Sequence, residues 1–465
     1  VSIDTDLTVS IPFSSRYQVE LISKDFDNAL LHLPPSPGTA PGTAADNGYG
    51  LAVDLGTTTI GLSLCALDPP RILASAAIRN PQVMVGLDVI SRICAVQTRP
   101  GSLHLQQRLA VSAIEQVARQ LLRAAAIPVN RVSSLVVVGN PTMIHLLLGE
   151  DPTSLGQAPY TPAFTEARSL PARQLGFSFP ASTTIHCPGL LSGFLGSDIL
   201  ASALAVDLAG YPEGTLLIDM GTNGELLLKG KTGFFATSCA TGPAFEGSNL
   251  TCGMPAMSGA IENISLRDHG RTIETSVITR EGRTTSPEGI CGSGVISAVA
   301  AFLKEKIILP SGAFSPACRL PALRRDRRPT EFVIVPGEDS GLQRSLVITQ
   351  TDIRAIQLAK GALSSGIDML CRQAGINRPH KILVAGAMGS HLSISDCMML
   401  GLFGPPTPAE AITAVGNTAG LGAIRLLIDQ GAATELIRLS NATTIKNVSD
   451  WEGFQSSFVR AMSFP

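Results

Sequence analysis

One short phrase occurs twice in this chain of 465 residues, and it limits the possible folds more than any other feature. In each copy an apolar, strand-like run ends in Asp, and then come any residue, Gly and Thr. The first copy is Leu51-Ala-Val-Asp54-Leu-Gly56-Thr57-Thr58-Thr59, and the second is Leu216-Leu-Ile-Asp219-Met-Gly221-Thr222-Asn223-Gly224. The two Asp residues lie 165 positions apart. We therefore expect a duplicated fold in which each half begins with a strand, a tight hairpin and a second strand.

These residue types suit a phosphate site. Glycine lets backbone N–H groups approach phosphate oxygens closely, and the hydroxyls of Thr57, Thr58 and Thr222 add donors. Asp54 and Asp219, at strand ends, can hold Mg²⁺ mainly through its bound waters. One copy alone could equally be an ordinary hairpin turn. Two copies in matching contexts favour a magnesium nucleoside triphosphate held between two lobes, with Asp54 and Asp219 as metal-binding and catalytic candidates.

A third element follows later in the chain, at Val384-Ala-Gly386-Ala-Met-Gly389. Its glycines would let the backbone pass flat against an adenine or a ribose, although a plain strand-to-helix turn has the same pattern. The residues that we predict to bind the nucleotide are Gly56, Thr57, Thr58, Thr59, Gly221, Thr222, Asn223, Gly224, Gly386, Ala387, Met388 and Gly389.

Composition excludes several classes of function. Hydrophobic residues make up 45% and charged residues 15% of the chain, which is typical of a well-buried globular protein. A net charge of −2 and an aromatic content of 5% argue against nucleic-acid binding. The sequence has no apolar run of about 18 residues, so we expect no membrane span. Nine cysteines without CxxC pairs indicate a reducing, cytoplasmic location.

The chain divides into three predicted regions. Residues 1–48 form an N-terminal segment that contains two short strand-like pieces over 8–22 and a Pro/Gly/Ala-rich flexible linker from Leu33. Residues 49–213 are predicted to form the first nucleotide-binding lobe, and residues 214–465 the second lobe with a C-terminal tail. Within the second lobe, the arginine-rich stretch 319–347 is predicted to be an exposed insertion. The region 430–465 is predicted to be ordered and amphipathic, packing on the core or at an interface.

The order of the three elements resembles the superfamily of sugar kinases, heat-shock ATPases and actin. This resemblance covers about residues 49 to 425 and implies an α/β, duplicated ribonuclease-H-like, two-lobed ATPase fold with a short N-terminal linker segment. Members of the superfamily often place an acid at a helix start to orient the attacking water. Asp198, which follows Gly193-Phe-Leu-Gly196, is that candidate here. An ordinary carboxylate favoured by the helix dipole is an equally good explanation of Asp198.

Longer phrases narrow the resemblance to the reductive activators of corrinoid proteins, an ASKHA-type family. The phrases are Asn80-Pro-Gln82 with Asp88-Val-Ile-Ser-Arg92, Gly139-Asn-Pro-Thr-Met-Ile-His145-Leu-Leu-Leu-Gly149, Gly242-Pro-Ala-Phe-Glu246-Gly247, Gly289-Ile-Cys-Gly-Ser-Gly294 and Asp352-Ile-Arg-Ala-Ile-Gln-Leu-Ala-Lys360-Gly361. Within them, His145 and Glu246 have no assigned role, and capping or packing is the default for both.

The resemblance implies an ATPase that drives a partner corrinoid protein, a cobalamin-carrying methyl-transfer protein, from Co(II) to Co(I). It also implies a homodimer. The usual family form carries an N-terminal plant-type [2Fe–2S] domain, whose cluster needs four thiolates at a spacing such as C-x₄-C-x₂-C. This sequence has no such spacing. Cys239, Cys252 and Cys291 are expected to be small buried residues and not ligands.

The chain begins with Val1 and not with Met. We therefore expect the ferredoxin domain to be missing from this chain or to sit on another one, so that a ferredoxin-like electron donor is required. The sequence also lacks an Asp-x-His-x-x-Gly phrase of the kind that ligates a corrinoid. The corrinoid is therefore expected on the partner.

Three alternatives use the same scaffold. A small-molecule kinase would transfer phosphate to a metabolite, and an actin-like assembly protein would use nucleotide for polymerisation. An ATPase activator of another radical or metal enzyme, such as a radical dehydratase, would hold a cluster between subunits through paired cysteines.

Overall fold

The computed structural model describes residues 9–13, 17–21, 48–279, 285–386, 392–404 and 407–465. Near the N-terminus, β1 (Val9–Phe13) and β2 (Tyr17–Leu21) form an antiparallel pair. This pair confirms the two strand-like pieces predicted over 8–22. The predicted linker from Leu33 to Gly48 lies outside the described residues except for Gly48.

Internal contacts divide the chain into two compact units. Unit 1 comprises the residues up to Gly210 together with Asn417–Ile445, and unit 2 comprises Tyr211–Gly416 and Lys446–Pro465. The division into two lobes at 49–213 and 214–465 stays a prediction. By contacts, however, the segment Asn417–Ile445 belongs with the first unit.

Helices make up much of both units. The α-helices of the described residues are α1 (Val89–Thr98), α2 (Ser102–Ala124), α3 (Pro141–Leu148), α4 (Ser197–Ala205), α5 (Gly292–Lys304), α6 (Gln350–Ala374), α7 (Ile394–Leu400), α8 (Thr418–Ile428), α9 (Ala432–Asn441) and α10 (Phe454–Ala461). Helices α1 to α4, α8 and α9 belong to unit 1, and the other four belong to unit 2.

The sheet of unit 1 combines a meander with parallel strands. Its strands are β3 (Tyr49–Leu55), β4 (Thr59–Leu67), β5 (Pro70–Arg79), β6 (Val132–Gly139), β7 (Arg168–Pro171) and β8 (Thr184–Cys187), in the order β5-β4-β3-β6-β8-β7. The first three pair antiparallel, β6 runs parallel to both β3 and β8, and β7 is antiparallel to β8.

Both faces of this sheet are covered, which explains why Leu51, Ala52 and Val53 of β3 are apolar in succession. Leu51 and Val53 share one core with residues of α2, whereas Ala52 lies in a second core with residues of α4 and α8. The two helices of the second core approach closely, since a Cβ on Gly422 would lie 2.0 Å from the carbonyl oxygen of Ala201. Asn417–Ile445 therefore completes the core of unit 1.

Unit 2 repeats the same strand pattern. Its strands are β9 (Thr215–Met220), β10 (Gly224–Lys229), β11 (Phe234–Cys239), β12 (Ala260–Arg267), β13 (Thr272–Val277), β14 (Gly289–Ile290), β15 (Leu323–Arg324), β16 (Glu331–Val335), β17 (Leu346–Thr349), β18 (Lys381–Ala385) and β19 (Ile412–Gly416). A further short strand, β20 (Thr443–Ile445), follows α9. In the main sheet β9, β10 and β11 pair antiparallel, and β18 runs parallel to both β9 and β19.

The two meanders correspond strand by strand. Each begins with the strand that ends in the Asp-x-Gly-Thr phrase, and that strand pairs on its other side with a parallel strand, β6 in unit 1 and β18 in unit 2. The duplicated α/β architecture predicted from the repeated phrase is therefore confirmed.

The expectation that 319–347 is an exposed insertion is wrong for its strands. β16 pairs with β15 and β17, and Phe332 and Leu346 are fully buried in the core of unit 2. Arg325, Arg327 and Arg328 are exposed, as predicted. The arginine run dominates the composition of this window, and it masks the apolar strand that follows directly after it.

Candidate functional site

The first Asp-x-Gly-Thr phrase forms a hairpin of three turn residues between β3 and β4. A side chain at Gly56 would collide with the backbone, because an added Cβ would lie 2.5 Å from the carbonyl oxygen of Thr59. Asp54, near the end of β3, accepts a hydrogen bond of 2.9 Å from the Asn417 side-chain amide. Burial raises the pKa of Asp54 to about 6, and the bond from Asn417 opposes this shift.

Polar side chains from other parts of unit 1 form hydrogen bonds to this hairpin. The Asn80 amide donates to the carbonyl oxygen of Gly56 at 2.9 Å, and the Arg92 guanidinium donates to that of Thr57 at 2.7 Å. The Thr57 hydroxyl accepts a bond of 3.0 Å from Asn140, the N-cap of α3. Two family phrases, at 80–92 and at 139–149, thus supply the support for the first hairpin.

Asp198 lies in the first turn of α4, whose N-cap is Gly196. Its Oδ1 accepts a bond of 3.0 Å from the N–H of Ile199, and a Cβ on Gly196 would lie 2.6 Å from that same oxygen. The hydroxyl of Ser197 bonds to Gly139, at the end of β6 and in register with Leu55 of β3. Asp198 therefore lies at the same end of the sheet as the first hairpin.

The second phrase forms a hairpin of the same size between β9 and β10, with Gly221, Thr222 and Asn223 in the turn. The N–H of Gly221 bonds to the carbonyl oxygen of Asn223 at 3.1 Å. The Thr222 hydroxyl donates to a carboxylate oxygen of Glu246 at 3.0 Å. Glu246 therefore lies at the second hairpin, a position that sequence reasoning did not assign to it.

Gly386 of the third element lies against Asp219 within unit 2. It has a φ of +99°, and an added Cβ would lie 2.7 Å from the carbonyl oxygen of Met220 and 3.0 Å from Oδ1 of Asp219. Only glycine fits here, because the backbone angle and the space both exclude a side chain. Ala387, Met388 and Gly389 lie outside the described residues.

Unit 2 also contains a small polar cavity of about 150 Å³. Ser293 and Ser297 line it from the first turns of α5, and Ser393, the N-cap of α7, follows the third element in the chain. Glu262, Asn263 and Ser276 of β12 and β13 complete the lining. All six lining side chains are polar, so the cavity suits a ligand with hydrogen-bonding groups.

His145 has a packing role. It is fully buried, and its Nδ1 lies 2.7 Å from the carbonyl oxygen of Pro141. Its Nε2 accepts a bond of 3.0 Å from the N–H of Ala163, and the ring stacks on Phe164 with the centroids 4.6 Å apart. Nδ1 therefore carries the proton of a neutral ring, and burial lowers the pKa of His145.

The last family phrase, residues 352–361, lies in α6 and packs against the C-terminal residues. Asp352 closes a capping box with Thr349 at the start of α6. Further along α6, the Lys360 ammonium donates to the carbonyl oxygens of Ala461 and Ser463, and an added Cβ on Gly361 would lie 2.9 Å from the side chain of Met462. This packing of the C-terminal residues on α6 confirms that the end of the chain is ordered and packs on the core.

All nine cysteines are free thiols. Cys239, Cys252 and Cys291 are buried, as predicted, and burial raises the pKa of the Cys239 thiol to about 12. Among the described residues, no three His, Cys, Asp or Glu side chains come together as a group that could hold a metal ion. In the same part of the chain, no helix has both the length and the apolar character needed to cross a membrane.

Comparison with known proteins identifies the family. Residues 213–465 match the family described as the C-terminal domain of RACo, the ASKHA domain, and residues 49–210 match the RACo middle region. The corrinoid activation enzyme RamQ of Eubacterium limosum is 32% identical over 394 residues, which are 83% of this chain and 65% of RamQ. This chain therefore spans slightly less than two thirds of the length of RamQ.

A second relative and a solved structure point to the same family. The Co(II) methylated amine-specific corrinoid protein reductase of Methanosarcina barkeri is 25% identical over 453 residues, 90% of this chain and 77% of the relative. The solved structure of a reductive activator for corrinoid, iron-sulfur protein aligns with a TM-score of 0.81 at 32% identity, covering 91% of this chain and 67% of that one. The ASKHA domain implies ATP binding. Because that domain alone covers more than half of the chain, the chain belongs to the RACo family of reductive activators of corrinoid proteins, as its sequence motifs indicate.

Proposed function

We propose that this protein is an ATPase that couples ATP binding and hydrolysis to the reduction of a partner's corrinoid cobalt from Co(II) to Co(I). The observation that carries the proposal is the pair of Asp-x-Gly-Thr hairpins, equal in size and context, in a chain of the RACo family. The relatives named for corrinoid activation and for corrinoid-protein reduction support the substrate.

The proposal assigns a group of residues to each part of the nucleotide. The two hairpins would bind the phosphates. Gly386, where there is no room for a side chain, would bind the nucleoside through its backbone, and Ala387, Met388 and Gly389 are proposed to bind it as well. The polar cavity beside α5 and α7 suits the hydroxyls or the base of that nucleoside.

Each hairpin has oxygen donors of the kind that magnesium would use. Unit 1 offers the carboxylate of Asp54 and unit 2 offers those of Asp219 and Glu246, and Mg²⁺ prefers oxygen ligands and keeps several of its waters. Burial raises the pKa of Asp54, so a cation beside it would restore the charged carboxylate. Asp198 would orient the attacking water, consistent with its place at the sheet end that carries the first hairpin.

The free-energy requirement of the redox step is modest. A one-electron potential moves by ~59 mV for each tenfold difference in affinity for the two redox states. If the activator bound the Co(I) form 10³ to 10⁴ times more tightly than the Co(II) form, the potential would rise by about 180–240 mV. That preference amounts to ~4–5.5 kcal/mol, which a nucleotide-driven switch can supply.

The arrangement of these cysteines does not suit an iron–sulfur cluster that could donate the electron. A [2Fe–2S] cluster needs four thiolates near one another, and the described residues contain no such group. Five of the nine thiols have a pKa raised by burial to about 12, which opposes the thiolate form that a cluster requires. We therefore propose a ferredoxin-like [2Fe–2S] donor that passes one electron to Co(II).

Three further features belong to the proposal. The partner would be a cobalamin-carrying methyl-transfer protein, since this chain has no corrinoid-ligating phrase. The free thiols support a reducing, cytoplasmic location. Homodimerisation is proposed from the family resemblance alone. The family match favours neither the kinase nor the assembly alternative, and the cysteine arrangement does not favour the activator of a radical dehydratase.

The test is a reconstituted reduction. Purified protein is mixed with a Co(II) corrinoid protein, a reduced [2Fe–2S] ferredoxin and MgATP, and Co(I) formation is followed by visible spectroscopy while phosphate release is measured. We expect both Co(I) and phosphate with ATP, and neither with the Asp219→Asn variant. Absence of ATP hydrolysis and of Co(I) with the unaltered protein would refute the proposal. Phosphate found on a metabolite in place of free phosphate would favour the kinase.

A further inference from the structure

Three consecutive carbonyl groups in the first hairpin are held by one group of buried residues. The carbonyl oxygen of Gly56 accepts from the Asn80 side chain at 2.9 Å, and that of Thr58 accepts from the Asn80 backbone N–H at 2.8 Å. Between them, the carbonyl oxygen of Thr57 accepts from Arg92 at 2.7 Å. All three carbonyls of the turn are therefore fixed by the segment 80–92.

Arg92 is a fully buried guanidinium whose hydrogen-bond partners are neutral. Besides Thr57, it donates to the carbonyl oxygen of Gly86 at 3.0 Å and to Oε1 of Gln82 at 3.1 Å. Within the described residues it makes no ion pair of 4 Å or less. Burying a cation without a paired carboxylate is costly. An apolar side chain of similar length would avoid that cost if Arg92 served only to fill space.

Fixed carbonyls have a consequence for the opposite side of the turn. An anion-binding concavity forms when successive backbone N–H groups point to one side, which requires the carbonyls to point away. A cation bonded to the Thr57 carbonyl also polarises that peptide group and strengthens its N–H, which belongs to Thr58. The charge of Arg92 thus favours the binding of an anion at the hairpin, although Arg92 itself lies on the carbonyl side of the turn.

We propose that Arg92 is a positioning residue for the phosphates of ATP, holding the first hairpin in its anion-binding conformation through the Thr57 carbonyl. This inference rests on the proposed function, because it takes the hairpin as a phosphate site. It concerns a residue that contacts the hairpin backbone and not the nucleotide itself. Residues that support the ligands of metal sites are worth about 10- to 100-fold in affinity, and we take the same range for this hairpin.

The test compares Arg92→Met and Arg92→Lys with Arg425→Met. Arg425 is also a buried arginine of unit 1, but among the described residues its hydrogen bonds and ion pairs go to Leu204, Asp429 and Glu435 and not to the hairpin. Affinity for MgATP is measured by calorimetry. Hydrogen exchange is then followed at saturating MgATP over residues 54–60 and 219–225. We expect both Arg92 variants to bind MgATP at least about tenfold more weakly, and Arg425→Met to bind it as the unaltered protein does.

Hydrogen exchange separates a positioning role from a general loss of structure. In the Arg92 variants, MgATP should protect the second hairpin but no longer the first, whereas β6 should exchange as in the unaltered protein. Unchanged MgATP affinity in both variants, or equal loss of protection at β6, would overturn the inference. If Arg92→Met does not fold, Arg92→Lys decides the question, because lysine keeps the charge but loses the planar fork. Failure of the unaltered protein to bind MgATP would instead overturn the proposed function.

Discussion

Replacing Gly56 by alanine should separate the function of the first hairpin from the stability of the fold. The added Cβ would lie 2.5 Å from the carbonyl oxygen of Thr59, where ordinary contacts begin at about 3.4 Å. The obstacle is backbone, so it cannot rotate away as a side chain would. The turn must therefore open by about 0.9 Å, the difference between these two distances.

This displacement sets the expected magnitude. A misplacement of about 1 Å in a binding or catalytic group can cost about 10²-fold in rate. Loss of one hydrogen bond to a charged phosphate costs ~1.5–3 kcal/mol, or about 10- to 100-fold in affinity. We expect Gly56→Ala to weaken MgATP binding about 10- to 100-fold and to slow ATP hydrolysis further.

The control is a glycine on β3, the strand that leads into the hairpin. At Gly50, near the other end of β3, an added Cβ would meet the side chain of Leu427 at 2.7 Å. Gly50→Ala should therefore lower stability by ~1–3 kcal/mol through overpacking, while the hairpin keeps its shape. Calorimetry with MgATP and thermal unfolding are measured on both variants. If Gly56→Ala bound MgATP within threefold of the unaltered protein, or if Gly50→Ala lost as much affinity, the reasoning would be wrong.

Three other changes test separate parts of the structure. Asp198→Asn should reduce the turnover of ATP by about 10²-fold or more with little change in KM, if the carboxylate orients water; a stability change of ~0.3–1 kcal/mol without a rate change would identify it as a helix-dipole residue. Because the folded-state pKa of His145 is lowered from 6.5, its stabilising contribution is present above pH 6.5 and is lost as the pH falls, by at most ~1.4 kcal/mol per pH unit. Faster hydrogen exchange over 141–165 at pH 5.5 than at pH 7.5, corrected for the intrinsic rate, should show this, and equal protection would contradict it. Lys360→Met should loosen α10 by ~1–3 kcal/mol, because the carbonyls of Ala461 and Ser463 lose their donor. Fluorescence of Trp451, the one tryptophan, should report the change, and an unaltered emission and unfolding midpoint would count against it.

The architecture could be predicted from the sequence wherever the signal is local. Both hairpins follow from an apolar run that ends in Asp and a glycine at the turn, since strand patterns and turn sterics act within a few residues. The apolar strand β16 was not predicted, because its signal is also local but lies next to a run of charges. A window that spans both Arg325 and Phe332 averages a solvated charge cluster with a core strand, and the average describes neither.

The support of the site could not be predicted in the same way. Arg92 and Glu246 belong to phrases that indicate the family, but nothing in those phrases says which backbone group or hydroxyl each will meet. Asn417 donates to Asp54 across 363 positions of the chain, and no local pattern contains that information. Such contacts exist only after the strands and helices have packed.

The sequence by itself therefore determined the duplicated fold, the two Asp-x-Gly-Thr hairpins and the family, because repeated local patterns and glycine sterics need no distant partner. Only the tertiary structure decided how each hairpin is held, with Arg92 and Asn80 behind the first and Glu246 beside the second. It also decided that Asn417–Ile445 completes the core of the first unit. The physical reason is that buried polar groups must find partners wherever packing brings them, and packing is a property of the whole chain.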